Sequence, residues 1–237
     1  LAARRNLTEI SMDEVNDAID RVLAGPEKKD RVMSEKRKTL VAYHEAGHAL
    51  VGALMPDYDP VQKISIIPRG RAGGLTWFTP SEDRMDSGLY SRSYLQNQMA
   101  VALGGRLAEE IIFGEEEVTT GASNDLQQVT RVARQMVTRF GMSDRLGPVA
   151  LGRQNGNMFL GREIASDRDF SDTTAAAIDE EVRSLVDDAY RRAKEVLVNN
   201  KHVLDKLAGM LIEKETVDAD ELQELLATSD VTMAAIA

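Results

Sequence analysis

Hydrophobic positions recur at helical spacing along most of the chain, which predicts a mainly helical protein. Residues 11–25 form a short amphipathic pattern whose apolar stripe contains Val15, Ile19 and Val22. The further helices that the pattern predicts span 34–55, 90–113, 124–140, 172–198, 201–214 and 218–227. Residues 217–218 are predicted to form a turn between the last two helices.

Two segments have the composition of strands rather than helices. Residues 61–68 and 74–80 are rich in β-branched and aromatic residues, and a stretch of glycine and arginine separates them. Prolines close both segments, so at least one strand is expected on a sheet edge. The predicted fold class is therefore mainly α with a small β-sheet (α+β).

Composition and charge exclude several classes of protein. The chain has 237 residues and is 43% hydrophobic, which suffices for one large domain or two small ones. The formal net charge of −10 argues against a nucleic-acid partner. No apolar run reaches the roughly 18 residues that span a bilayer. With no cysteine, the chain has neither disulfides nor thiolate zinc ligands.

The C-terminal tail and two internal stretches are predicted to lie outside the regular structure. The chain begins with leucine rather than Met, and we interpret it as a fragment of a longer protein, soluble by itself. The charged stretch 27–31 is predicted to be a domain boundary, and 141–161 a glycine-rich loop. The tail, 229–237, is predicted to be flexible.

The segment 43-YHEAGHAL-50 carries the strongest chemical signal. His44 and His48 share one helix face and can offer two imidazole nitrogens to one zinc ion. Glu45 flanks that face, where it can take a proton from a zinc-bound water. Gly47 lets another segment approach the helix closely. Composition alone would produce this His-Glu-x-x-His pattern on the order of a few times in a thousand, so we interpret it as a zincin-like helix beside a helical bundle.

A catalytic zinc also needs a third protein ligand, with the fourth position left for water. No histidine follows His48 at a suitable spacing, and the remaining one, His202, has the surroundings of a helix start or a surface residue. A carboxylate is therefore expected. Position alone divides the choice evenly between Asp125, in the first turn of a helix, and Glu109 or Glu110, beside apolar residues of another.

Several segments together resemble the FtsH family of ATP-dependent, membrane-anchored AAA+ zinc proteases. They are 42-AYHEAGHALV-51, 64-ISIIPRG-70, 100-AVALGGRLAEEIIFG-114, 119-TTGASNDLQQVTRVARQMV-137, 139-RFGMS-143 and 212-IEKETVD-218. The resemblance implies a zinc peptidase domain over 31–228, preceded in 1–30 by the tail of an ATPase lid and a linker. The segments 74-GLTWFTPSEDR-84 and 88-GLYSRSYLQNQMAVALGG-105 are similar to the cyanobacterial and chloroplast branch.

The resemblance also implies roles for individual residues. The third zinc ligand would be Asp125, and Glu109 would hold a ligand histidine in its tautomer and orientation. Gly74, Leu75 and Thr76 would bind the substrate by pairing along a strand edge.

A larger assembly is implied as well. Members of the family form homo- or hetero-hexameric rings in which ATPase domains feed unfolded polypeptides to the peptidase domains, and membrane helices precede the ATPase module. The branch suggests a thylakoid or plasma membrane, a peptidase domain on the cytoplasmic or stromal side, and a role in photosystem II repair. This chain has no Gly-x-x-x-x-Gly-Lys-Ser/Thr loop, so ATP and Mg²⁺ would act only through a module outside it.

The function predicted from all of this is that of a zinc endopeptidase domain. His44, His48 and Asp125 would hold zinc, and Glu45 would pass the proton of the attacking water to the leaving amine. Tyr43 is a weak candidate for stabilising the oxyanion. The rival interpretations are a metal-binding assembly domain without peptidase activity, which would be expected to lose Glu45 first, and a small-molecule zinc hydrolase, which the edge-strand pattern disfavours.

Overall fold

Helices form most of the described chain, which comprises residues 1–26, 33–70, 72–151 and 170–234 of a computed structural model. The helices are α1 (Met12–Ala24), α2 (Glu35–Leu54), α3 (Glu82–Ser87), α4 (Arg92–Phe113), α5 (Ser123–Thr138), α6 (Asp172–Asn199), α7 (Lys201–Lys214) and α8 (Ala219–Thr228). The strands are β1 (Val61–Ser65), β2 (Leu75–Phe78) and β3 (Thr216–Asp218). The predicted fold class, mainly α with a small β-sheet, is confirmed.

The core is built around α2, which packs chiefly against α4 and α7, while α4 also packs against α5 and α6. One reason is that α2 presents small buried residues, Ala42, Ala46 and Ala49, which let neighbouring helices come close. The closest approach is between Gly47 of α2 and Gly104 of α4, where a Cβ atom on Gly47 would lie 2.4 Å from the Gly104 carbonyl oxygen. The glycine at position 47 therefore has the packing role that the sequence indicated.

The sheet has three antiparallel strands in the order β2-β1-β3. Ile64 of the central strand β1 is fully buried and lies between Thr76 of β2 and Val217 of β3. Among the described residues, β2 has a strand neighbour on one side only, so its other edge is open. This places β2 where the sequence predicted an edge strand.

Two short elements differ from the sequence-based expectation. Residues 217–218, predicted to be a turn, belong to β3, because residues 216–218 pair with β1. The same segment then starts α8: Asp218 accepts a hydrogen bond from Glu221 N, and Glu221 accepts one from Asp218 N. Helix α3 was not predicted at all, since a single short turn of helix has no detectable periodicity.

Helix α1 forms as predicted, but its apolar stripe does not pack against the core. Its apolar stripe is exposed: Val22 is 82% exposed, and Val15 and Ile19 are exposed as well. A polar residue docks instead, because Asp20 is buried and accepts hydrogen bonds from Lys63 and Arg69 beside the sheet. Ionic contacts rather than apolar burial therefore attach α1 to the rest of the described chain.

Two residues of the predicted flexible tail hydrogen-bond to the helical core. Thr232 N donates to Asn200 Oδ1, Asn200 Nδ2 donates to the Thr232 carbonyl, and Ala234 N donates to the Leu54 carbonyl. Residues 235–237, the predicted boundary at 27–31 and residues 152–161 of the predicted loop lie outside the described residues. None of the described helices has the length and apolar character to cross a membrane.

Candidate metal centre

Three metal-binding side chains meet at one point between α2, α4 and α5. The Nε2 atoms of His44 and His48, one turn apart on α2, lie 3.1 Å from each other. Asp125 Oδ2, from the first turn of α5, lies 3.4 Å from His44 Nε2 and 3.7 Å from His48 Nε2. The structure thus brings the third candidate ligand to the two predicted histidines from 77 to 81 residues further along the chain.

The donor set and its spacing fit a zinc ion. Zinc favours four ligands in a tetrahedron at about 2.0–2.2 Å, so two nitrogen or oxygen ligands lie about 3.3 Å apart. The three distances between the donors of His44, His48 and Asp125 scatter around that value. Space is kept open by Gly105 of α4, where a Cβ atom would lie 2.5 Å from His48 Nε2 and 2.6 Å from His44 Nε2. A side chain at position 105 would occupy the place where the donors converge.

The inner nitrogens of both histidines are held by α4. His44 Nδ1 lies 2.7 Å from Glu109 Oε1, and His48 Nδ1 lies 2.8 Å from the Val101 carbonyl oxygen. Glu109 is fully buried, and its other oxygen accepts a hydrogen bond from Thr119 N at 2.8 Å. Because Nδ1 of each ring donates to these acceptors, the lone pair of the neutral ring is on Nε2, which faces the centre.

The charges around the centre favour binding of a cation. Burial opposes the charged form of His44, but its hydrogen bonds to Asp125 and Glu109 outweigh that effect and raise its pKa to about 10. Burial, together with the charge of His44, lowers the pKa of His48 to about 4. Burial opposes ionisation of Asp125, yet the two histidines keep its pKa below the usual value. In the metal-free protein a proton on His44 thus balances the carboxylates, and a metal ion would replace it.

Glu45 lies beside the three donors and is buried. Burial raises its pKa to about 7, although the charge of His44 and a hydrogen bond from Thr76 act in the opposite direction. A carboxyl group with a pKa near neutrality can both accept and release a proton at physiological pH. This is the property that the predicted role of Glu45 requires.

The centre opens into a cleft of about 750 Å³. Its lining includes Gly74, which precedes β2, Leu75 and Thr76 of β2, and Thr120 and Asn124 around the start of α5. Residues at the start of β2 and residues around the start of α5 therefore line the same cleft as His44, His48 and Asp125.

Three other sequence candidates lie away from the centre. Glu110, one alternative for the third ligand, accepts hydrogen bonds from the Tyr190 hydroxyl of α6 at 2.7 and 2.8 Å, so that alternative is wrong. The Tyr43 hydroxyl donates to Asp205 of α7 at 3.1 Å, which directs it away from any oxyanion in the cleft. His202 is an exposed residue in the first turn of α7.

Sequence reasoning missed two contributions of α4 to the centre. The Val101 carbonyl leaves no trace in the sequence, because any residue would supply it. Gly105 does leave one: it follows Gly104 in the middle of a helical pattern, where two adjacent glycines are unfavourable unless something must come close.

The sequence matches the Peptidase family M41 model over residues 31–225. The chain is 87% identical, over 99% of its length, to the ATP-dependent zinc metalloprotease FtsH 3 of Synechocystis. It is 69% identical, over 98% of its length, to an FtsH of the same description from Synechococcus. It is 67% identical, over 95% of its length, to the chloroplastic FTSH 5 of Arabidopsis thaliana.

The chain spans 38%, 36% and 32% of the lengths of these three relatives, so each of them is a much longer protein. The match is nevertheless continuous over nearly all of this chain and includes the segments that suggested the resemblance. The predicted resemblance to the cyanobacterial and chloroplast branch of FtsH is confirmed, and the chain belongs to peptidase family M41.

Proposed function

We propose that this domain cleaves peptide bonds in unfolded polypeptides, using zinc held by His44, His48 and Asp125. The observation that carries the proposal is the convergence of these three donors beside the buried carboxyl of Glu45, in a cleft bordered by an open strand edge. Zinc in this site would supply a Lewis acid and lower the pKa of a water molecule.

In the proposed reaction Glu45 moves the proton. Its carboxylate accepts a proton from the attacking water and then donates it to the nitrogen of the departing amine. Glu109 and the Val101 carbonyl keep the two histidine rings oriented throughout, since they hold the Nδ1 hydrogens. No residue of the chain changes its covalent bonds, apart from the proton that Glu45 gains and loses.

The proposed substrate site is the open edge of β2. An extended peptide would add a strand there, and main-chain hydrogen bonds would give affinity with little dependence on sequence. Gly74, Leu75 and Thr76 line the cleft, so a peptide paired with them passes the metal-binding side chains. This mode of binding suits an enzyme that cuts many different unfolded chains.

The wider biological role is proposed from the relatives. The names of the Synechocystis and Arabidopsis proteins describe ATP-dependent zinc metalloproteases, and the latter is chloroplastic. We propose that this domain works in a membrane-anchored hexamer whose ATPase module supplies unfolded chains. Its substrates would include damaged membrane proteins, with photosystem II subunits in a thylakoid membrane as the expected case. The peptidase domain would face the stroma or cytoplasm.

The test combines zinc content with proteolysis of β-casein, a loosely folded substrate. The unmodified domain should contain about one zinc per chain and should cleave β-casein in a chelator-sensitive way. Asp125→Ala should lose both properties. Glu45→Gln should keep its zinc and lose about 10²- to 10⁴-fold in rate.

Each rival interpretation gives a different result. An assembly domain without peptidase activity would bind zinc and leave β-casein intact. A hydrolase of small molecules would also spare β-casein, although it would act on a small ester or amide in a Glu45-dependent way. Cleavage that survives a chelator would contradict a zinc mechanism altogether.

A further inference from the structure

The general base is held by the strand that borders the cleft. Thr76 Oγ1 lies 2.8 Å from Glu45 Oε2 and 3.1 Å from the Glu45 main-chain oxygen. Among the described residues, the Thr76 hydroxyl is the hydrogen-bond partner found for the Glu45 carboxyl. A buried carboxylate without a donor is costly, so this single hydroxyl has a large influence on where the carboxyl points.

Gly74 confines the other oxygen of the same carboxyl. A Cβ atom on Gly74 would lie 2.6 Å from Glu45 Oε1 and 2.7 Å from Glu45 Cγ. Residues 74 and 76 are two apart on an extended chain and thus project to the same face, which here is the face toward α2. Of the two carboxyl oxygens of Glu45, Oε1 therefore lies against Gly74 and Oε2 is hydrogen-bonded to Thr76.

We propose that Thr76 is a positioning residue for Glu45, a role that rests on the proposed function and adds to it. The Thr76 hydroxyl fixes the carboxyl in the orientation that lets it reach the attacking water. The main chain of Thr76 would pair with the substrate, whereas its side chain orients the carboxyl of Glu45. One residue thereby joins the strand that receives the peptide to the group that moves the proton.

Because these two roles are separate, a change in the Thr76 side chain should affect kcat rather than KM. Val has the shape and the strand preference of Thr but lacks the hydroxyl, so Thr76→Val preserves main-chain pairing with the substrate. We expect kcat for β-casein cleavage to fall about 10- to 100-fold, as for other groups that orient a catalytic residue, with KM changed by less than about twofold. Thr76→Ser restores the hydroxyl and should recover most of kcat.

The controls separate positioning from general damage. Thr79→Val is the same change three residues further along the chain, on an exposed side chain, and should leave kcat and KM at their wild-type values. Zinc content and the midpoint of thermal unfolding should match the wild type in Thr76→Ser and Thr76→Val. If Thr76→Val does not fold, Thr76→Ala replaces it, because a shorter side chain cannot clash with Glu45.

Three results would overturn the role of Thr76. They are an unchanged kcat in Thr76→Val, a loss confined to KM, and a Thr76→Ser variant as slow as Thr76→Val. Each of them leaves the proposed function intact, provided that the wild type cleaves β-casein and Glu45→Gln does not. A wild type that fails to cleave β-casein would instead contradict the proposed function itself.

Discussion

At the scale of single residues, the candidate metal centre includes a carboxylate that contacts a histidine but is not one of the three converging donors. Glu109 is fully buried between His44 Nδ1 and Thr119 N, and these two donors keep its pKa below the usual value even though burial acts in the opposite direction. Its negative charge makes His44 a better ligand and fixes the direction of the ring. Glu109 thereby links the loop before α5, which precedes Asp125, to the histidine helix.

We expect Glu109→Gln to lower the affinity for zinc by about 10- to 100-fold, because the ring of His44 loses its anionic partner. Competition against a fluorescent zinc chelator near neutral pH measures the change. The matched control is Glu110→Gln, the same substitution one residue later, where the side chain contacts α6 instead. Equal affinities in the two variants would contradict the role of Glu109.

Glu110 carries a pH dependence of its own, away from the metal. Burial opposes its charge, but hydrogen bonds from Lys194 and Tyr190 outweigh that effect and lower its pKa from the ordinary value of 4.5. A carboxyl whose pKa is lowered by folding stabilises the folded state above its unfolded pKa, and loses that contribution as the pH falls through the folded pKa.

Accordingly, Glu110→Gln should reduce the free energy of unfolding by about 1 kcal/mol near neutral pH, a modest value because Lys194 is partly exposed. The difference from the wild type should shrink below pH 4.5. Urea unfolding of both proteins at each pH measures it, and any loss of zinc in acid affects both equally. A difference that stays constant down to strongly acidic pH would rule out the ionised Glu110 as its source.

At the scale of elements, two adjacent glycines of α4 have separate tasks. A Cβ atom on Gly104 would lie 2.6 Å from the Gly47 carbonyl oxygen, so Gly104 sets the distance between α2 and α4. Gly105 faces the histidine nitrogens instead. Packing of the helix pair and space for the metal are therefore determined by neighbouring positions on one helix.

Gly104→Ala should destabilise the fold by about 1–3 kcal/mol, because helix backbone has to move. Gly105→Ala should chiefly weaken zinc binding, because its methyl group enters the metal centre. Gly209→Ala in α7 is the control: nothing lies within 4 Å of its Cβ position, and stability should rise by about 0.5–1 kcal/mol. Thermal unfolding and zinc content of the three variants test the assignment, and a Gly105→Ala variant with full zinc affinity would contradict it.

The sequence predicted the elements that have strong local signals. Helix α2, expected at 34–55, runs from Glu35 to Leu54, since Ser34 caps it and an apolar face covers much of its length. Strand β3 was missed because three residues have no periodicity and form a strand only through pairing with β1. For the same reason the metal centre could be predicted only in part. His44 and His48 are neighbours on one helix, whereas the tertiary packing of α5 brings Asp125 to them. Sequence position alone could not distinguish Asp125 from Glu109 or Glu110 as the third ligand.

At the scale of the whole molecule, an ionic junction at Asp20 joins α1 to the sheet. Asp20 lies 2.7 Å from Lys63 Nζ of β1 and 3.2 Å from Arg69 Nη2, and the Gly70 amide donates to the Pro26 carbonyl nearby. The segment that leaves β1 through Arg69 leads on to β2, which borders the cleft. The junction therefore connects α1 to β1 and to the segment that follows it.

Asp20→Asn should loosen α1 while leaving the metal centre in place. Removing the shared carboxylate from Lys63 and Arg69 costs on the order of 1–3 kcal/mol, and 1.4 kcal/mol corresponds to about tenfold in an opening equilibrium. Amide hydrogens of α1 should therefore exchange about tenfold faster or more, whereas those of α2 and the zinc content should not change, because α2 is held by α4 and α7. Glu9→Gln, at an exposed carboxylate just before α1, is the control. If α1 exchanged equally fast in both variants, its attachment would not depend on the Asp20 junction, and a change in α2 would mean that α1 supports the histidine helix directly.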